Sequence, residues 1–189
     1  MSVSGPLRTT ALVAALALAM VAAAALLWAR GSRFGLAAVP PAGQQRCVAA
    51  QLALSAGRAG VGAGNAGEVF VLTNRSGATC SLSGFPGVQL VDASGRTVPT
   101  RVLRTGAYTF AQVPPRHVDL APGGRASFSA GWSNGTGYPG VTCPAGTSVQ
   151  VTPPDDSARL TVAAGIEACP DGTIHVSPVV AGAQGVGAP

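Results

Sequence analysis

Downstream of residue 45, apolar and polar residues alternate in short runs, most clearly in His117–Leu120, Arg125–Trp132 and Ser148–Val151. An alternation with a period of two places one face of a strand in a core and the other in solvent, so each run predicts a β-strand. Turn-forming residues, as in Asp92–Gly95 and Ala121–Gly124, separate the runs. The predicted strands are residues 51–56, 68–73, 79–82, 88–92, 97–103, 117–120, 125–132, 148–152, 159–163 and 173–179.

No segment after residue 33 combines helical length, an apolar period typical of helices and capping residues. Many short strands without helices predict an all-β fold. We expect residues 46–181 to form an immunoglobulin-like β-sandwich. The Gly- and Ala-rich residues 182–189 predict a disordered tail.

The N-terminal residues 11–29 form a run of nineteen residues without a charge, which as a helix is long enough to cross the hydrocarbon core of a bilayer. Ten of the nineteen are alanine, which weakens insertion, while Trp28 suits an interfacial anchor. We expect residues 1–33 to be a short cytoplasmic tail and a hydrophobic anchor helix, followed by a Pro/Gly/Ala linker at residues 34–45. The alternative is a signal peptide that is cleaved before Ala38.

The positive charge belongs mainly to this N-terminal segment. The whole chain has a formal net charge of +5, and it has no lysine, so arginine supplies its positively charged side chains. Beyond residue 33, nine arginines stand against seven acidic residues. This excess is too small and too scattered to indicate binding to nucleic acid.

The four cysteines permit three pairings, and a register argument selects one of them. Facing residues of an antiparallel hairpin have numbers with a constant sum. Cys47 and Cys80 are symmetric about position 63.5, in the Gly-rich loop 61–67, and Cys143 and Cys169 about position 156, in the turn-rich segment 153–157. Each pair would close the open end of its own hairpin, where facing Cβ atoms can be bridged. We therefore predict two disulfides and an oxidising compartment outside the cytoplasm.

Two enzyme motifs occur in contexts that do not support them. Gly62–Gly67 reads GxGxxG, but a β-run follows it, whereas the dinucleotide fingerprint requires a helix N-terminus. Gly131–Gly135 reads GxSxG around Ser133, but the Gly- and Pro-containing residues after it cannot continue the helix of a nucleophile elbow. His117 and Asp119 share a strand face and would complete a triad, although a solvated strand face is the simpler interpretation.

Metal or cofactor binding is not expected. The cysteines lack the CxxC spacing of zinc sites, and the other soft ligands are His117 and His175. Asp155 and Asp156 are adjacent acids in a turn, where carboxylates usually bond to neighbouring backbone N–H groups. We predict that the protein is not an enzyme.

A further set of residues carries a family resemblance. They are Cys47, Thr73, Asn74, Ser76, Thr79, Cys80, Leu82, Gly84, Pro86, Gly87, Val88, Asp92, Gly95, Leu120 to Gly123, Trp132, Cys143, Pro153, Pro154, Cys169 and Val176. With them the chain resembles an actinobacterial family of secreted or membrane-anchored proteins, domain of unknown function 4232. The resemblance implies a β-sandwich outside the cytoplasm and supplies no catalytic residues. Where members often have tyrosine, this chain has Phe85.

The longest weakly patterned segment, residues 101–116, is the predicted binding site. It concentrates three arginines and two aromatic residues, namely Arg101, Arg104, Tyr108, Phe110 and Arg116. Arginine forms bidentate hydrogen bonds with phosphate or carboxylate, aromatic rings offer flat apolar area, and loops on a rigid frame often carry binding residues. The alternative is that the aromatic residues cap the core and the arginines are merely solvated.

The predicted function is that of a non-catalytic, membrane-tethered module that binds an anionic cell-envelope polymer or a protein partner. Its expected location is the cell membrane, as a single-pass protein with the C-terminal domain outside the cytoplasm, or the medium after signal cleavage. Two alternatives remain: a serine hydrolase of the cell envelope that uses Ser133, and a structural spacer or assembly module.

Overall fold

The protein is described by a computed structural model at residues 45–104, 106, 108–135 and 139–187. The predicted anchor helix and almost all of the predicted linker lie outside these residues, so those predictions and the domain boundaries that depend on them remain predictions. Within the described part of the chain, no helix has the length and apolar character needed to cross a membrane.

The described residues form an all-β structure with one short 3-10 turn, Ala49–Gln51, and no α-helix. Each predicted strand has a counterpart, and a short additional strand ends the series. The strands are β1 (Leu52–Gly62), β2 (Asn65–Asn74), β3 (Cys80–Ser83), β4 (Gly87–Val91), β5 (Arg101–Leu103), β6 (His117–Leu120), β7 (Arg125–Ser133), β8 (Ala145–Thr152), β9 (Leu160–Glu167), β10 (Thr173–Val176) and β11 (Val180–Ala181).

The strands pair into three sheets. The largest has the order β1-β2-β7-β10-β5, and β11 pairs with β7 further along the same edge as β10. The second has the order β4-β8-β9, and the third consists of β3 and β6. Among the named strands, the pairing of β10 with β5 is parallel and the others are antiparallel.

The main hydrophobic core joins the largest sheet to the β4-β8-β9 sheet. Phe70, Phe128 and Trp132 from the first sheet and Leu90 and Val149 from the second belong to one buried cluster. Phe70 and Phe128 face each other across β2 and β7, with ring centroids 5.3 Å apart. The sequence of β7 alternates these apolar side chains with serine and glycine, so one face of the strand is apolar and the other is small and polar.

A second buried cluster surrounds β3 and β6. It includes Leu72, Leu82, Leu120 and both sulfurs of the Cys47–Cys80 disulfide, whose residues are each 1% exposed. The side chain of Asn74, at the end of β2, also lies in this region and is fully buried. The second cluster therefore contains a polar group that must find all its hydrogen-bond partners inside the protein.

Asn74 satisfies that requirement. Its Nδ2 donates to the carbonyl oxygens of Ala78 at 2.8 Å and Leu120 at 2.9 Å. Its Oδ1 accepts from the backbone N–H of Ser76 at 2.9 Å and from the Ser76 hydroxyl at 2.7 Å. The Asn74 side chain therefore ties the end of β2 to the connection before β3 and to β6.

The Gly-rich segment 61–67 is not the long loop that its composition predicts. β1 and β2 stay paired up to Gly62 and Asn65, so only Ala63 and Gly64 form the turn. Both residues have positive φ, 48° and 76°, as a type I′ hairpin turn requires. The glycine and alanine residues of this segment have the same backbone N–H and C=O groups as any other residue. Backbone hydrogen bonds between the strands therefore hold this part of the hairpin, and side-chain packing contributes little.

The structure contains the two predicted disulfides, Cys47–Cys80 and Cys143–Cys169. The Cys143–Cys169 disulfide lies where the predicted register places it. β8 and β9 pair antiparallel as far as Ala145 and Glu167, and the two cysteines lie just beyond this pair, at the open end of the hairpin.

For Cys47–Cys80 the pairing is as predicted, but the register argument is wrong. The β1–β2 hairpin ends where Leu52 faces Asn74. Cys47 lies beyond that end, on a segment that runs parallel to β3 and whose Cys47 N–H donates to the Ser81 carbonyl at 2.9 Å. The symmetry of the two cysteines locates the hairpin turn, yet the chain leaves the hairpin before it reaches either of them.

Residues 182–187, predicted as part of a disordered tail, are instead held along the outer face of β7 and are called here the C-terminal strap. The N–H groups of Gly185 and Val186 donate to the hydroxyl oxygens of Ser127 and Ser129, both at 2.9 Å. The composition of the strap does not predict this ordered conformation, because its hydrogen-bond partners lie more than fifty residues earlier in the chain.

Candidate functional site

The predicted binding segment connects β5 to β6, and the structure separates its residues. Arg101 is exposed on β5, and Arg116 is exposed directly before β6. Arg104 and Phe110 line one cavity together, and neither Arg101 nor Arg116 reaches it. Tyr108 packs against the largest sheet instead.

Tyr108 holds the segment in place. Its ring lies parallel to the imidazole of His175 in β10, with centroids 4.2 Å apart, and its hydroxyl donates to Oδ1 of Asn65 at 2.5 Å. Gly131 of β7 permits this approach, because a Cβ there would lie 2.9 Å from Cδ1 of Tyr108. Burial raises the pKa of the Tyr108 hydroxyl, so the group is protonated at neutral pH.

Phe110 is 3% exposed and forms part of the wall of a cavity of about 400 Å³, called here the Phe110 pocket. The wall comes from the β3–β4 connection, the segment before β6 and the end of β10. Its apolar members are Phe85, Phe110, Ala111, Val113, Pro114, Pro115, Val176 and Pro178. A concave, mostly apolar cavity of this volume falls in the range of small-molecule sites.

Arg104 is the one charged side chain among the described residues that line the Phe110 pocket. The polar Ser177 is already engaged, since its hydroxyl donates to the Pro178 carbonyl and accepts from the Ser129 N–H, both at 2.9 Å. A guanidinium beside aromatic and proline surfaces suits a ligand with an apolar body and one anionic group. The volume accommodates a single such group and not a stretch of polymer.

Sequence reasoning missed Phe85 and Pro178 as parts of the pocket. Phe85 precedes a Pro-Gly pair, so the sequence alone indicates only that it lies at a turn. The structure brings it to the end of β10 because the Val179 N–H donates to the Gly84 carbonyl at 2.9 Å. One local signal does point to the site, namely two adjacent prolines four residues after Phe110, since prolines form rigid apolar walls.

A second concave surface, the hairpin groove, has a volume of about 370 Å³. It lies between residues 58–62 of β1, residues 65–69 of β2, and Thr109, Ser129 and Val186. Arg58 and Glu68 both line it, and burial raises the pKa of the Glu68 carboxyl. Glycine and alanine form much of its surface, so it offers less apolar contact area than the Phe110 pocket.

The residues of the hydrolase alternative are not assembled into a triad. The Ser133 hydroxyl donates to the Gly64 carbonyl and accepts from the Gly135 N–H, both at 3.2 Å. His117 Nε2 lies 3.0 Å from Asp119 Oδ1 on the exposed face of β6, which belongs to a different sheet from β7 and Ser133. Among the described residues, the hydrogen bonds of Ser133 include none to a histidine.

The acidic turn has a structural role. The Asp156 carboxylate accepts the N–H groups of Ala49 at 2.6 Å, Ser157 at 2.7 Å and Ala158 at 3.1 Å. These hydrogen bonds lower the pKa of Asp156, with the bond from Ala49 contributing most. The carboxylate therefore fastens the start of the domain to the β8–β9 connection.

One group of metal-binding residue types comes together. Ligand atoms of Cys143, Glu167 and Cys169 lie within 4.8 Å of one another. The two sulfurs are bonded to each other, so neither is the thiolate that a metal site needs. The GxGxxG segment likewise opens no helix, because it passes through the hairpin turn into β2.

A comparison with protein families matches residues 47–180 to the family described as Domain of unknown function (DUF4232). No curated protein matches the chain. The matched range contains both disulfides and the described residues that line the Phe110 pocket.

Proposed function

This chain belongs to the DUF4232 family, and from that premise we propose that it is a non-catalytic binding module that acts outside the cytoplasm. In this proposal the domain is an immunoglobulin-like β-sandwich of an actinobacterial envelope protein. Residues 11–29 tether it to the membrane, or a signal peptide that ends before Ala38 releases it.

Two observations support the fold and the compartment. The largest sheet and the β4-β8-β9 sheet contribute to one core, as the two layers of a sandwich do. Both disulfides persist most readily in an oxidising compartment, which a domain beyond the membrane would occupy.

The observation that carries the binding proposal is the Phe110 pocket with Arg104 at its wall. We propose that its ligand is one apolar group bearing a single carboxylate or phosphate, presented by an anionic envelope polymer or by a partner protein. Burial of the apolar body would provide most of the affinity, and the guanidinium would select the charge. A spacer needs no such pocket, and the hydrolase alternative gains no support from the surroundings of Ser133.

Titration calorimetry of the full chain in lipid nanodiscs tests this proposal, with phenylbutyrate as the anionic probe and phenylbutanol as its uncharged analogue. We expect phenylbutyrate to bind more tightly. Arg104 is exposed, so Arg104→Gln should weaken phenylbutyrate binding about two- to fivefold, the scale of one exposed ion pair, and leave phenylbutanol unchanged. Phe85→Ala should weaken both probes, because it removes apolar wall area.

Arg101→Gln is the matched control, since Arg101 is an exposed arginine of the same segment that does not line the pocket. It should bind both probes like the wild type. Empty nanodiscs measure partition of the probes into lipid. Wild-type protein that fails to bind phenylbutyrate above this background, or equal losses in the two arginine variants, would contradict the assignment of the pocket.

A further inference from the structure

The C-terminal strap is bound to the sheet as a peptide ligand would be. Ser129 makes a reciprocal pair with it, because its hydroxyl accepts the Val186 N–H at 2.9 Å and donates to the Val186 carbonyl at 3.1 Å. Ser127 accepts the Gly185 N–H, and the Ala111 N–H donates to the Gly187 carbonyl at 2.8 Å. These bonds use the backbone of the strap, so they depend on the course of its main chain and not on its side chains.

The fit is closest at Gly185, whose φ of 67° favours glycine. A Cβ there would lie 2.5 Å from the Ser129 hydroxyl oxygen and 2.8 Å from Cγ2 of Val69. By contrast, a Cβ on Gly187 would meet nothing within 4 Å. The face therefore requires glycine at one position of the peptide and tolerates side chains two positions later.

The strap belongs to the same compact unit as the cores but lies outside both buried clusters and outside the matched family range. The family match ends at residue 180, and the last residue of either buried cluster is Val179. The serines that hold the strap, in contrast, belong to β7 in the middle of the largest sheet. The strap is thus an addition seated on a surface that the family domain itself provides.

We propose that this face, formed by Val69, Ser127 and Ser129, is a binding groove for a glycine-containing polypeptide segment of a partner protein, and that the strap occupies it in cis. The hairpin groove adjoins the strap at Val186, so a partner segment can place a larger side chain at that position. The proposed groove is a different surface from the Phe110 pocket, and the two share one residue, since Ala111 lines the pocket and its N–H holds the strap.

Because the strap occupies the groove in cis, a free peptide must compete with it, and this lowers the peptide affinity that is measured. A tethered segment acts at an effective concentration on the order of millimolar, so a peptide of about 100 µM intrinsic affinity binds the wild type roughly tenfold more weakly than the freed groove. Gly185→Val should free the groove, because its side chain would collide with Ser129 and Val69. Gly187→Val makes the same substitution where there is room for it, and is the matched control.

The test uses the full chain in nanodiscs and a fluorescein-labelled peptide with the sequence of residues 181–189, followed by fluorescence anisotropy. We expect Gly185→Val to bind the peptide about tenfold more tightly than either wild type or Gly187→Val. Adding Ser129→Ala to Gly185→Val should abolish that gain, since it removes both hydrogen bonds to the peptide residue equivalent to Val186. A peptide in which valine replaces the glycine equivalent to Gly185 should not bind.

Three results would overturn the proposal. In the first, Gly185→Val binds the peptide no better than Gly187→Val. In the second, Gly185→Val fails to fold, which would make the strap part of the fold and not an occupant of a groove. In the third, the freed protein becomes a dimer by light scattering at the concentrations used, in which case the occupant is a second copy of this chain and not a partner protein.

Discussion

Replacement of Asn74 by alanine tests whether one buried side chain organises the second cluster. In the wild type its amide nitrogen donates to two main-chain carbonyls, and its oxygen accepts two hydrogen bonds from Ser76. Ser76 and Ala78 reach solvent, so water can replace the asparagine there. Leu120 is 2% exposed, and its carbonyl gains no water in exchange for the lost donor.

The expected loss follows from these partners. The lost hydrogen bonds cost about 1 kcal/mol each where water cannot replace them, and a buried acceptor that loses a donor costs about 1–3 kcal/mol. We therefore expect Asn74→Ala to lower the free energy of unfolding by about 3 kcal/mol, a large share of the stability of a small domain. The measurement is equilibrium urea unfolding with both disulfides intact.

Asn134→Ala is the matched control, because Asn134 is exposed and should change stability by less than about 0.5 kcal/mol. Asn74→Asp adds a second signature. Its carboxylate would face the Leu120 carbonyl, so burial should raise its folded-state pKa, and its deficit relative to Asn74→Ala should shrink as the pH falls and the group becomes a donor. An Asn74→Ala variant as stable as the Asn134→Ala control would show that the Asn74 side chain does not organise the second cluster.

Three further predictions concern other contacts. Backbone N–H groups hold the pKa of Asp156 below its ordinary value of 3.8, so its stabilisation is complete at neutral pH and is lost as the pH falls through 3.8 and the lower folded-state value. Asp156→Asn should therefore lower the melting temperature at pH 7 and lose less on acidification than the wild type does. Replacing either Cys47–Cys80 or Cys143–Cys169 by alanines should cost about 3–4 kcal/mol in urea unfolding, with the larger loss for the pair inside the second cluster. Gly131→Ala should displace residues 108–110 and weaken phenylbutyrate binding several-fold, whereas Gly165→Ala, where a Cβ meets nothing, should not.

The strands were predictable because alternation of apolar and polar residues depends only on which face of a strand is buried. β7 shows this most clearly, since its core-facing residues are alanine, phenylalanine and tryptophan and the residues between them are serine and glycine. The hairpin of β1 and β2 was less predictable. The half of the hairpin next to the turn contains few large side chains, so backbone pairing holds its strands together. Backbone pairing does not produce a hydrophobic periodicity that the sequence could show.

The candidate site could be predicted only in part. Composition identified Arg104 and Phe110, because arginine and aromatic residues in an unpatterned segment are typical of binding loops. It grouped Arg101, Tyr108 and Arg116 with them, although these residues do not line the pocket. Phe85, Val176 and Pro178 join the pocket through strand pairing and the contact of Gly84 with Val179, and no local pattern records such distant contacts.

Nuclear magnetic resonance can show residue by residue whether the Phe110 pocket binds an apolar anion. Backbone amide shifts of the isotopically labelled full chain in nanodiscs would be recorded during titration with phenylbutyrate. We expect saturable shifts centred on Phe85, Val113 and Val176, which Arg104→Gln weakens and Arg101→Gln does not. Shifts centred on the hairpin groove at Glu68, or no saturable shift at the pocket, would contradict this expectation.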